Sequence, residues 1–493
     1  MGGKTLKEKT ATGLFWGGVS NTLQQVLSLL LGVFLARILE REEYGMVGML
    51  TIFSLIANSL QESGFTSALA IKKEAKHKDF NAVFWFSLLM GVTLYLLLFL
   101  LAPFISQFYG IPELTPLARF IFLGFVLSSI GTAQSAYLFR HLMVKEKAIA
   151  QIIGLVISGT LGLSLAVLGF SYWSLAIQAV TYVGVVTLLF WWFSPWRPSL
   201  NLNFQPLRKM FSFSSKVLLT NIFNHINNNI LTVLLGRLFA VDKVGDYTQA
   251  SKWNNMSSFV IINMVNGVAQ PVLAEASEEE ERQKRVFRKM LQFTVFLSFP
   301  AMFGLSIVAE ELIVLTITAK WLPSVSLLQM LCIWGAFAPI AHLYSHLIIS
   351  KGKSTIYMWS VLMLGVCQMV LLLFVYSFGI QVMVASFVLL NISWLIVWHY
   401  FVQKEISYSF WEVIKDISSF LITAGLVMTL VFYVTQPLDS LLLKLIIRIL
   451  MGATIYLSII YIFHKGMVLE IVNGLLKIGF KKKNKTDSST DRE

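Results

Sequence analysis

Long apolar runs recur along the whole chain, and short polar segments separate them. A helix rises about 1.5 Å per residue, so about 20 apolar residues cross a hydrocarbon core of about 30 Å. We predict fourteen membrane-spanning helices, called spans 1 to 14, at residues 14–36, 44–71, 80–102, 116–139, 148–169, 172–193, 211–236, 244–272, 291–317, 324–349, 355–378, 380–402, 416–434 and 441–463. The pattern therefore predicts an all-α polytopic membrane protein.

Polar residues occur in and after span 1 and span 7 in the same pattern, at a spacing of 200 residues. Three pairs are identical and four more are polar in both copies: Asn21/Asn221, Arg37/Arg237, Gly45/Gly245, Ser20/Thr220, Gln24/Asn224, Gln25/His225 and Ser28/Asn228. Positions 20, 21, 24, 25 and 28 share one face of a helix. A polar face that recurs in two apolar helices is typical of a transporter built from an internal repeat.

The composition of the 493-residue chain agrees with a membrane protein, because 56% of its residues are hydrophobic, 13% are charged and its mean hydropathy is +0.72. The net charge of +13 raises nucleic acid as a partner. However, about 29 of the 39 Lys and Arg residues lie near the two ends and in every second loop. This positive-inside pattern argues against nucleic acid. It predicts a multi-pass membrane protein with both termini in the cytoplasm.

Loop lengths and prolines divide the chain into two halves. We predict an N-terminal lobe of six spans at 1–193, a cytoplasmic linker at 194–210, a second six-span lobe at 211–402, two further spans within 403–463 and a basic cytoplasmic tail at 464–493. The outward loops are all short, and the longest runs from about Pro103 to Thr115. We therefore expect no catalytic domain outside the membrane.

Ionisable residues inside a span are costly and usually face a cavity or a partner. Lys252 lies near the middle of span 8, and Glu62 lies in the inner half of span 2. We expect both to line a substrate cavity; the alternative is a buried ion pair or a packing contact. Lys216 lies about five residues into span 7, where it either serves the cavity or extends its ammonium to the interface. Arg448 lies outside the repeated halves and is interpreted as structural.

Polar side chains are concentrated in spans 7 and 8. Five asparagines and one histidine fall within Asn221–Asn229. Amides also join helices by hydrogen bonds, but so many on two and a half turns favour a hydrated lumen. Amides suit sugar hydroxyls, and lysines suit phosphate or carboxylate. The predicted substrate-binding residues of the lumen are Lys252, Lys216, Glu62, Asn21, Gln24, Gln25, Asn221, Asn224, His225, Asn228, Gln249 and Asn255.

The sequence offers no recognisable motif for catalysis or metal binding. His342 and His346 stand at i,i+4, but the zinc-protease glutamate is missing and no third ligand suggests itself. Cys332 and Cys367 lie in spans 10 and 11 and are interpreted as small apolar residues. We expect no catalytic residue, no metal and no cofactor.

Seven short segments occur in order through both halves of the chain. They are Leu14-Phe-Trp-Gly17, Arg37-Ile-Leu-Glu-Arg-Glu-Glu-Tyr44-Gly45, Glu62-Ser-Gly64-Phe-Thr-Ser-Ala68-Leu69, Leu235-Gly236-Arg237, Val244-Gly245-Asp246-Tyr247, Gln270-Pro271-Val272-Leu273 and Lys320-Trp321-Leu322. Their order and spacing resemble the polysaccharide transport family of the MOP flippase superfamily. Within it, the WzxC-like lipopolysaccharide and exopolysaccharide exporters are the most similar subgroup.

The resemblance implies a MATE-like pair of six-helix bundles, a cavity lined by spans 1, 2, 7 and 8, and alternating access. The implied cargo is an undecaprenyl-diphosphate-linked oligosaccharide repeat unit of O-antigen, capsule or exopolysaccharide, flipped from the cytoplasmic to the periplasmic leaflet. Membrane lipids surround such a protein, and a polysaccharide polymerase and glycosyltransferases are its candidate protein partners. One segment departs from the family, because relatives often carry an Asp before the span 7 glycine and Ile230–Leu235 contains no acid.

The sequence leaves other functions open. A lipid II or teichuronic acid flippase and a cation-coupled multidrug exporter share the expected fold. A drug exporter for cationic cargo favours acidic cavity residues, whereas the candidates here are mostly lysines and amides. A membrane glycan polymerase or ligase is disfavoured, because such enzymes need a substantial outward loop.

Overall fold

The computed structural model describes residues 6–62, 69 and 75–466. Within this part, the chain forms sixteen α-helices and no β-strand. The helices are α1 Leu6–Ile38, α2 Arg41–Glu62, α3 His77–Tyr109, α4 Leu114–Ile121, α5 Leu123–Arg140, α6 Val144–Val167, α7 Tyr172–Phe193, α8 Gln205–Leu238, α9 Val241–Glu275, α10 Glu280–Ile307, α11 Ala309–Ile317, α12 Pro323–Ser350, α13 Ser354–Val375, α14 Ile380–Ile406, α15 Phe410–Thr435 and α16 Leu441–Phe463.

Each predicted span coincides, over its described residues, with one helix or with two consecutive helices, namely α4 with α5 and α10 with α11. The end of span 2, after Glu62, lies almost entirely outside the described residues. Among the described residues, 13 helices are long and apolar enough to cross a membrane. The remaining span is α8, which has 34 residues and carries the cluster of amides. The predicted all-α polytopic fold with about fourteen spanning helices is confirmed.

Local hydrogen bonds determine where several helices begin and end. At the start of α3, the backbone N–H of Lys76 donates to Asp79 Oδ2 at 2.9 Å. At the start of α15, the backbone N–H of Ser409 donates to Glu412 Oε2 at 2.8 Å. Helix N-termini stabilise such carboxylates. The residue after α3 is Gly110, whose φ of 73° favours glycine. The short polar segments therefore end the apolar helices by contacts of their own.

The described residues form two compact units. The first unit contains the chain up to Met256, Thr316–Leu328 and Ser354–Trp394. The second unit contains Ser257–Leu315, Gln329–Lys353 and the chain from Leu395 onwards. The division into two six-span lobes and a C-terminal pair of spans stays a prediction.

In the first unit, α1 is held mainly by α6, while α8 packs along α2, α13 and α3. Leu31 of α1 fills the space above Gly159 of α6, where a Cβ would meet Leu31 Cδ2 at 2.8 Å. Small residues permit such close approach of membrane helices. Leu31 therefore packs α1 closely against α6 at Gly159.

A buried ion pair and its hydrogen bonds join four helices of the second unit, α10, α11, α15 and α16. Arg448 of α16 is 4% exposed, and its Nη1 donates to both carboxylate oxygens of Glu311 at 2.7 Å. The same guanidinium donates to Thr435 Oγ1 at 2.9 Å and to the carbonyl oxygen of Ile307 at 2.6 Å. The charge of Arg448 is therefore fully engaged within the protein, in agreement with a structural role.

We expect Arg448→Met to lower the stability strongly, because it leaves the Glu311 carboxylate buried without its partner. Removing one member of a buried pair costs about 3–5 kcal/mol. Thermal unfolding of the detergent-purified protein measures this loss, with Lys444→Met on the same helix as the control. The double variant Arg448→Met/Glu311→Gln should regain part of it. A melting temperature equal to that of Lys444→Met would contradict the structural role.

Candidate functional site

The two copies of the sequence repeat form helical hairpins with matching boundaries. In the first copy α1 ends at Ile38 and α2 begins at Arg41; in the second copy α8 ends at Leu238 and α9 begins at Val241. Each boundary in the second copy therefore lies 200 residues after its counterpart in the first copy, which is also the spacing of the polar pairs. The repeat is present in the backbone as well as in the sequence.

The two hairpins meet at their repeated glycines. A Cβ built on Gly45 would overlap the carbonyl oxygen of Val241, and a Cβ built on Gly245 would overlap the carbonyl oxygen of Arg41. Arg41 and Val241 are themselves repeat equivalents, so each glycine faces the first residue of the other copy's helix. Only glycine fits here, because the obstacle is backbone and cannot rotate away. We call this crossing of α2 and α9 the glycine junction.

One turn further along, the junction brings two equivalent residues together. A Cβ on Gly48 would lie 2.6 Å from Thr248 Oγ1 and 3.6 Å from Thr248 Cβ. Gly48 and Thr248 are also separated by 200 residues. Contact between a residue and its own equivalent is the property of a two-fold axis. The local axis that relates the two hairpins therefore passes close to this pair.

Ion pairs reinforce the glycine junction on one side. Arg41 Nη1 lies 3.0 Å from Asp246 Oδ2 and 3.3 Å from Asp246 Oδ1. Arg41 Nη2 lies 3.5 Å from Asp242 Oδ2. The Asp246 side chain is 1% exposed, so this carboxylate is shielded from solvent. A charge-assisted contact of this kind ties the start of α2 to the start of α9.

A second set of contacts ties the end of α1 to the segment before α12. Trp321 is fully buried and its Nε1 donates to the carbonyl oxygen of Ala36 at 2.8 Å. Lys320 Nζ donates to the carbonyl oxygen of Arg37 at 3.0 Å, and Arg37 Nε donates to the carbonyl oxygen of Thr316 at 2.5 Å. The hairpin of α1 and α2 is therefore held at this end by two separate parts of the first unit.

The polar face of α1 is only partly engaged. Gln24 Nε2 donates to Ser20 Oγ at 2.7 Å, and Ser20 is buried. Gln25 and Ser28 are half-buried, and Asn21 is exposed. Exposed amide groups in a membrane helix are satisfied by water or by a polar ligand rather than by lipid. These residues are consistent with the predicted lumen surface.

The amide cluster of α8 divides into two groups. Asn224 Nδ2 donates to Tyr357 Oη at 3.2 Å, and Asn227 Nδ2 donates to the carbonyl oxygen of Val361 at 2.7 Å. Asn227 is buried and fills the space above Gly365 of α13. Asn224 and Asn227 therefore join α8 to α13, which is the helix-packing alternative considered for this cluster.

The other group of α8 side chains is open. Asn221 and Asn228 are exposed, and His225 is half-buried. Asn229 Nδ2 donates back to the carbonyl oxygen of His225 at 2.9 Å. Asn221 and Asn228 lie seven residues apart, so they lie close to one line along the helix. Among the described side chains of α8, this open group and the α13-facing group therefore lie on the same helix.

The middle of α9 carries Lys252, whose side chain reaches α1. A Cβ built on Gly32 of α1 would overlap Lys252 Nζ and would lie 3.3 Å from Lys252 Cε. No described carboxylate forms an ion pair with Lys252. Gln249, one turn earlier, is buried, whereas Asn255, one turn later, is exposed. Lys252 is the sequence-predicted residue that the structure brings directly against the first repeat.

Two predicted residues remain without a structural account. The backbones of Glu62 and Lys216 belong to α2 and α8, but their side chains lie outside the described part of the structure. Their roles stay predictions.

A family model described as polysaccharide biosynthesis protein matches residues 34–326, which is more than half of the chain. The chain belongs to this family. The matched region begins at the end of α1 and includes the glycine junction and the Trp321 contact. Membership of the predicted family is confirmed.

Two curated relatives of this polysaccharide biosynthesis protein support the same assignment. The lipopolysaccharide biosynthesis protein WzxC of Escherichia coli is 26% identical over 356 residues, which is 71% of each chain. The teichuronic acid biosynthesis protein TuaB of Bacillus subtilis is 23% identical over 353 residues, 71% of this chain and 73% of that one.

The fold of this polysaccharide biosynthesis protein is that of a known flippase structure. The inward closed conformation of the lipid II flippase MurJ superposes with a TM-score of 0.76 over 92% of this chain and 99% of that chain, at 14% sequence identity. The inward-facing conformation of a multidrug resistance MATE family transporter also superposes, with a TM-score of 0.61 over 78% of this chain and 94% of that chain, at 18% identity. The predicted MATE-like fold is thus confirmed.

Sequence reasoning missed three residues of the site, Gly32, Arg41 as the partner of Asp246, and Thr248. Arg41 and Asp246 lie inside segments that carry the family resemblance, and those segments adjoin the repeated glycines. This clustering is the signal that could have identified the junction. Gly32 has no repeat equivalent of its own type, because position 232 is Thr232.

We expect the double variant Gly48→Cys/Thr248→Cys to form a disulfide, because the two Cβ positions lie 3.6 Å apart and disulfides require about 3.5–4.5 Å. Cys332 and Cys367 are replaced by alanine in this background so that only the engineered pair reacts. Cross-link yield after mild oxidation is measured by gel mobility.

Adding Gly45→Ala to the same background should lower the yield several-fold, since its Cβ pushes against backbone at Val241. Gly425→Ala is the control, because open space surrounds Gly425. An undiminished yield with Gly45→Ala would show that the glycines do not set the distance between α2 and α9.

Proposed function

We propose that this protein flips an undecaprenyl-diphosphate-linked oligosaccharide repeat unit across the bacterial inner membrane by alternating access. The observation that carries the proposal is a pair of repeated hairpins that are closed at one end by the glycine junction, expose amides along their lengths and hold the half-buried Lys252 between them. The same arrangement supports a cargo that is polar, hydroxylated and anionic.

The exposed amides support a sugar as the moving part of the cargo. Asn21 on α1, Asn221 and Asn228 on α8 and Asn255 on α9 are exposed within otherwise apolar helices. Such groups would be costly in contact with lipid, so a hydrated passage is the favourable environment. Amides both donate and accept hydrogen bonds, which matches the hydroxyl groups of an oligosaccharide.

Lys252 supplies the charge that an anionic carrier lipid requires. The Lys252 residue as a whole is half-buried, and the described part of the chain places no carboxylate in an ion pair with it. An unpaired cation inside a membrane protein is an unfavourable state that a phosphate ligand relieves. The diphosphate of the cargo is the natural counterion, and Lys216 and Glu62 complete this proposed site.

The two exposed surfaces of α1 suit a molecule that is half sugar and half lipid. The polar residues Asn21, Gln25 and Ser28 lie on one side. On the opposite side, about 180° away at 100° per residue, lie the exposed apolar residues Leu23, Val26, Leu30 and Phe34. A helix with a polar and an apolar exposed side separates water from lipid. The headgroup would pass on the first side while the prenyl chain stays on the second.

The second unit offers a further apolar surface for a lipid chain. A cavity of about 530 Å³ is lined mainly by carbon, with Leu297, Pro300, Leu445 and Ile449 among its walls. The one charged residue in its lining, Arg448, is neutralised by Glu311. A prenyl or acyl chain fits such a lining better than a sugar does.

The proposed direction of transport follows from the predicted sidedness. With both termini in the cytoplasm, the glycine junction lies at the periplasmic end, so the passage is closed outward in this state. Outward movement of two negative charges is favoured by about 4 to 5 kcal/mol per 100 mV, from about 2.3 per charge. The membrane potential is then a sufficient drive, and glycosyltransferases and a polymerase would act before and after the flip.

A lipid II or teichuronic acid flippase is the second candidate. MurJ, a lipid II flippase, shares the fold over most of this chain, and TuaB is named for teichuronic acid biosynthesis. These cargoes are also prenyl diphosphates with sugars, so the same site would serve them. Transport assays with both classes of glycan distinguish the two candidates.

We expect Lys252→Gln to reduce flipping at least tenfold and Lys252→Arg to retain most of it, because the role requires a positive charge. Proteoliposomes that contain the protein and a fluorescent undecaprenyl-diphosphate oligosaccharide measure the rate, with Lys444→Met as the control. If Lys252→Gln flips the lipid at the wild-type rate, Lys252 does not hold the anion.

The disulfide between Gly48→Cys and Thr248→Cys should stop flipping, because alternating access requires the glycine junction to open. The same proteoliposome assay is run before and after addition of a reductant, which should restore the rate. Each single cysteine variant is the control for the substitutions themselves. Equal rates in the oxidised and reduced states would rule out opening at this junction.

A further inference from the structure

Gly32 stands out among the helical glycines because a charged side chain from another helix packs directly against it. A Cβ built on Gly32 would overlap Lys252 Nζ and would lie 3.3 Å from Lys252 Cε. Gly32 is buried, and its φ is not in the left-handed region. It is therefore needed for the space above it and not for a special backbone conformation.

The place of Gly32 on α1 gives this contact its meaning. Ser28 lies one turn before Gly32, and Gln25 lies two turns before it, on the same polar face. The ammonium of Lys252 therefore rests at the end of that face, although Lys252 belongs to α9. The contact brings a cation from the second repeat into line with hydrogen-bonding groups of the first.

We propose that Gly32 is a positioning residue that seats the Lys252 ammonium at the end of the polar face of α1, and so fixes where the diphosphate of the cargo binds. This inference rests on the proposed function for the identity of the anion. The position of the ammonium against Gly32 depends on Gly32 and Lys252 alone and not on the identity of the anion. It places the diphosphate beside Gly32 and the sugar towards Ser28 and Gln25.

The chemistry of the seat separates positioning from structural support. The atom in the way of a new Cβ is the end of a flexible side chain, so Gly32→Ala displaces the ammonium without forcing the helices apart. Alanine also has a higher helix propensity than glycine. The melting temperature of Gly32→Ala should therefore equal or exceed that of the wild type, although the Lys252 ammonium is displaced.

The position of the ammonium is tested directly by amine labelling. The purified protein in lipid nanodiscs is treated with a limiting amount of an acylating reagent, and modification of Lys252 is quantified by mass spectrometry. We expect Lys252 to be acylated at least threefold faster in Gly32→Ala than in wild type, because its ammonium no longer lies against Gly32. Gly425→Ala, the same change in open space, should label at the wild-type rate. A rate for Gly32→Ala within twofold of wild type, or a slower one, overturns the proposal.

Inorganic pyrophosphate serves as the anion probe in the same labelling experiment. It should protect Lys252 in wild type and in Gly425→Ala, and protect it at least threefold less in Gly32→Ala. Equal protection in all three proteins also overturns the proposal, since the anion would then bind without the seat.

A double-variant cycle in the flipping assay completes the test. Gly32→Ala should slow flipping at least fivefold, and Gly32→Ala/Lys252→Gln should be no slower than Lys252→Gln alone, because one residue acts through the other. Independent, multiplicative losses overturn the inference while leaving the proposed function intact. If Lys252→Gln instead flips the lipid at the wild-type rate, Lys252 does not bind the anion. The labelling result then still decides whether Gly32 positions the Lys252 ammonium.

Discussion

The rest of the site depends on the close crossing of α2 and α9 at the glycine junction. Packed helices usually lie 8–10 Å apart because side chains keep them there. At Gly45 and Gly245 each helix instead faces the backbone at the start of the other. The close approach brings the guanidinium of Arg41 onto Asp246. It also determines how far the side chain of Lys252, two turns further along α9, must extend to contact α1.

This crossing explains why a conformational change could be concentrated at one end of the hairpins. Glycine lets the backbones of the two helices meet directly, without an intervening side chain. Polar contacts at the same end, from Arg41 and Lys320, can be exchanged for water when they open. Alternating access needs such an end that closes firmly and opens without unfolding.

The sequence predicted the spans because hydrophobic length alone determines where a membrane helix can form. It predicted the repeat because a spacing of 200 residues is visible in a single chain. It could not separate Asn224 and Asn227 from Asn221 and Asn228, since all four are amides in one apolar helix. Only the neighbours on α13 make the first two packing residues. For the same reason the partnership of Gly32 with Lys252 has no sequence signal.

The two repeats carry different residue types at the positions of Lys252 and Gly32. The two-fold relation places Ile52 opposite Lys252 and Thr232 opposite Gly32, so the lysine and the glycine that seats it occur together on one side only. At the equivalent positions of the other repeat, the apolar Ile52 stands in place of the lysine and the β-branched Thr232 in place of the glycine. Two facing cations would hold a diphosphate from both sides and slow its release. Transport requires binding strong enough for entry and weak enough for exit. A single seated lysine, off the axis, meets both demands.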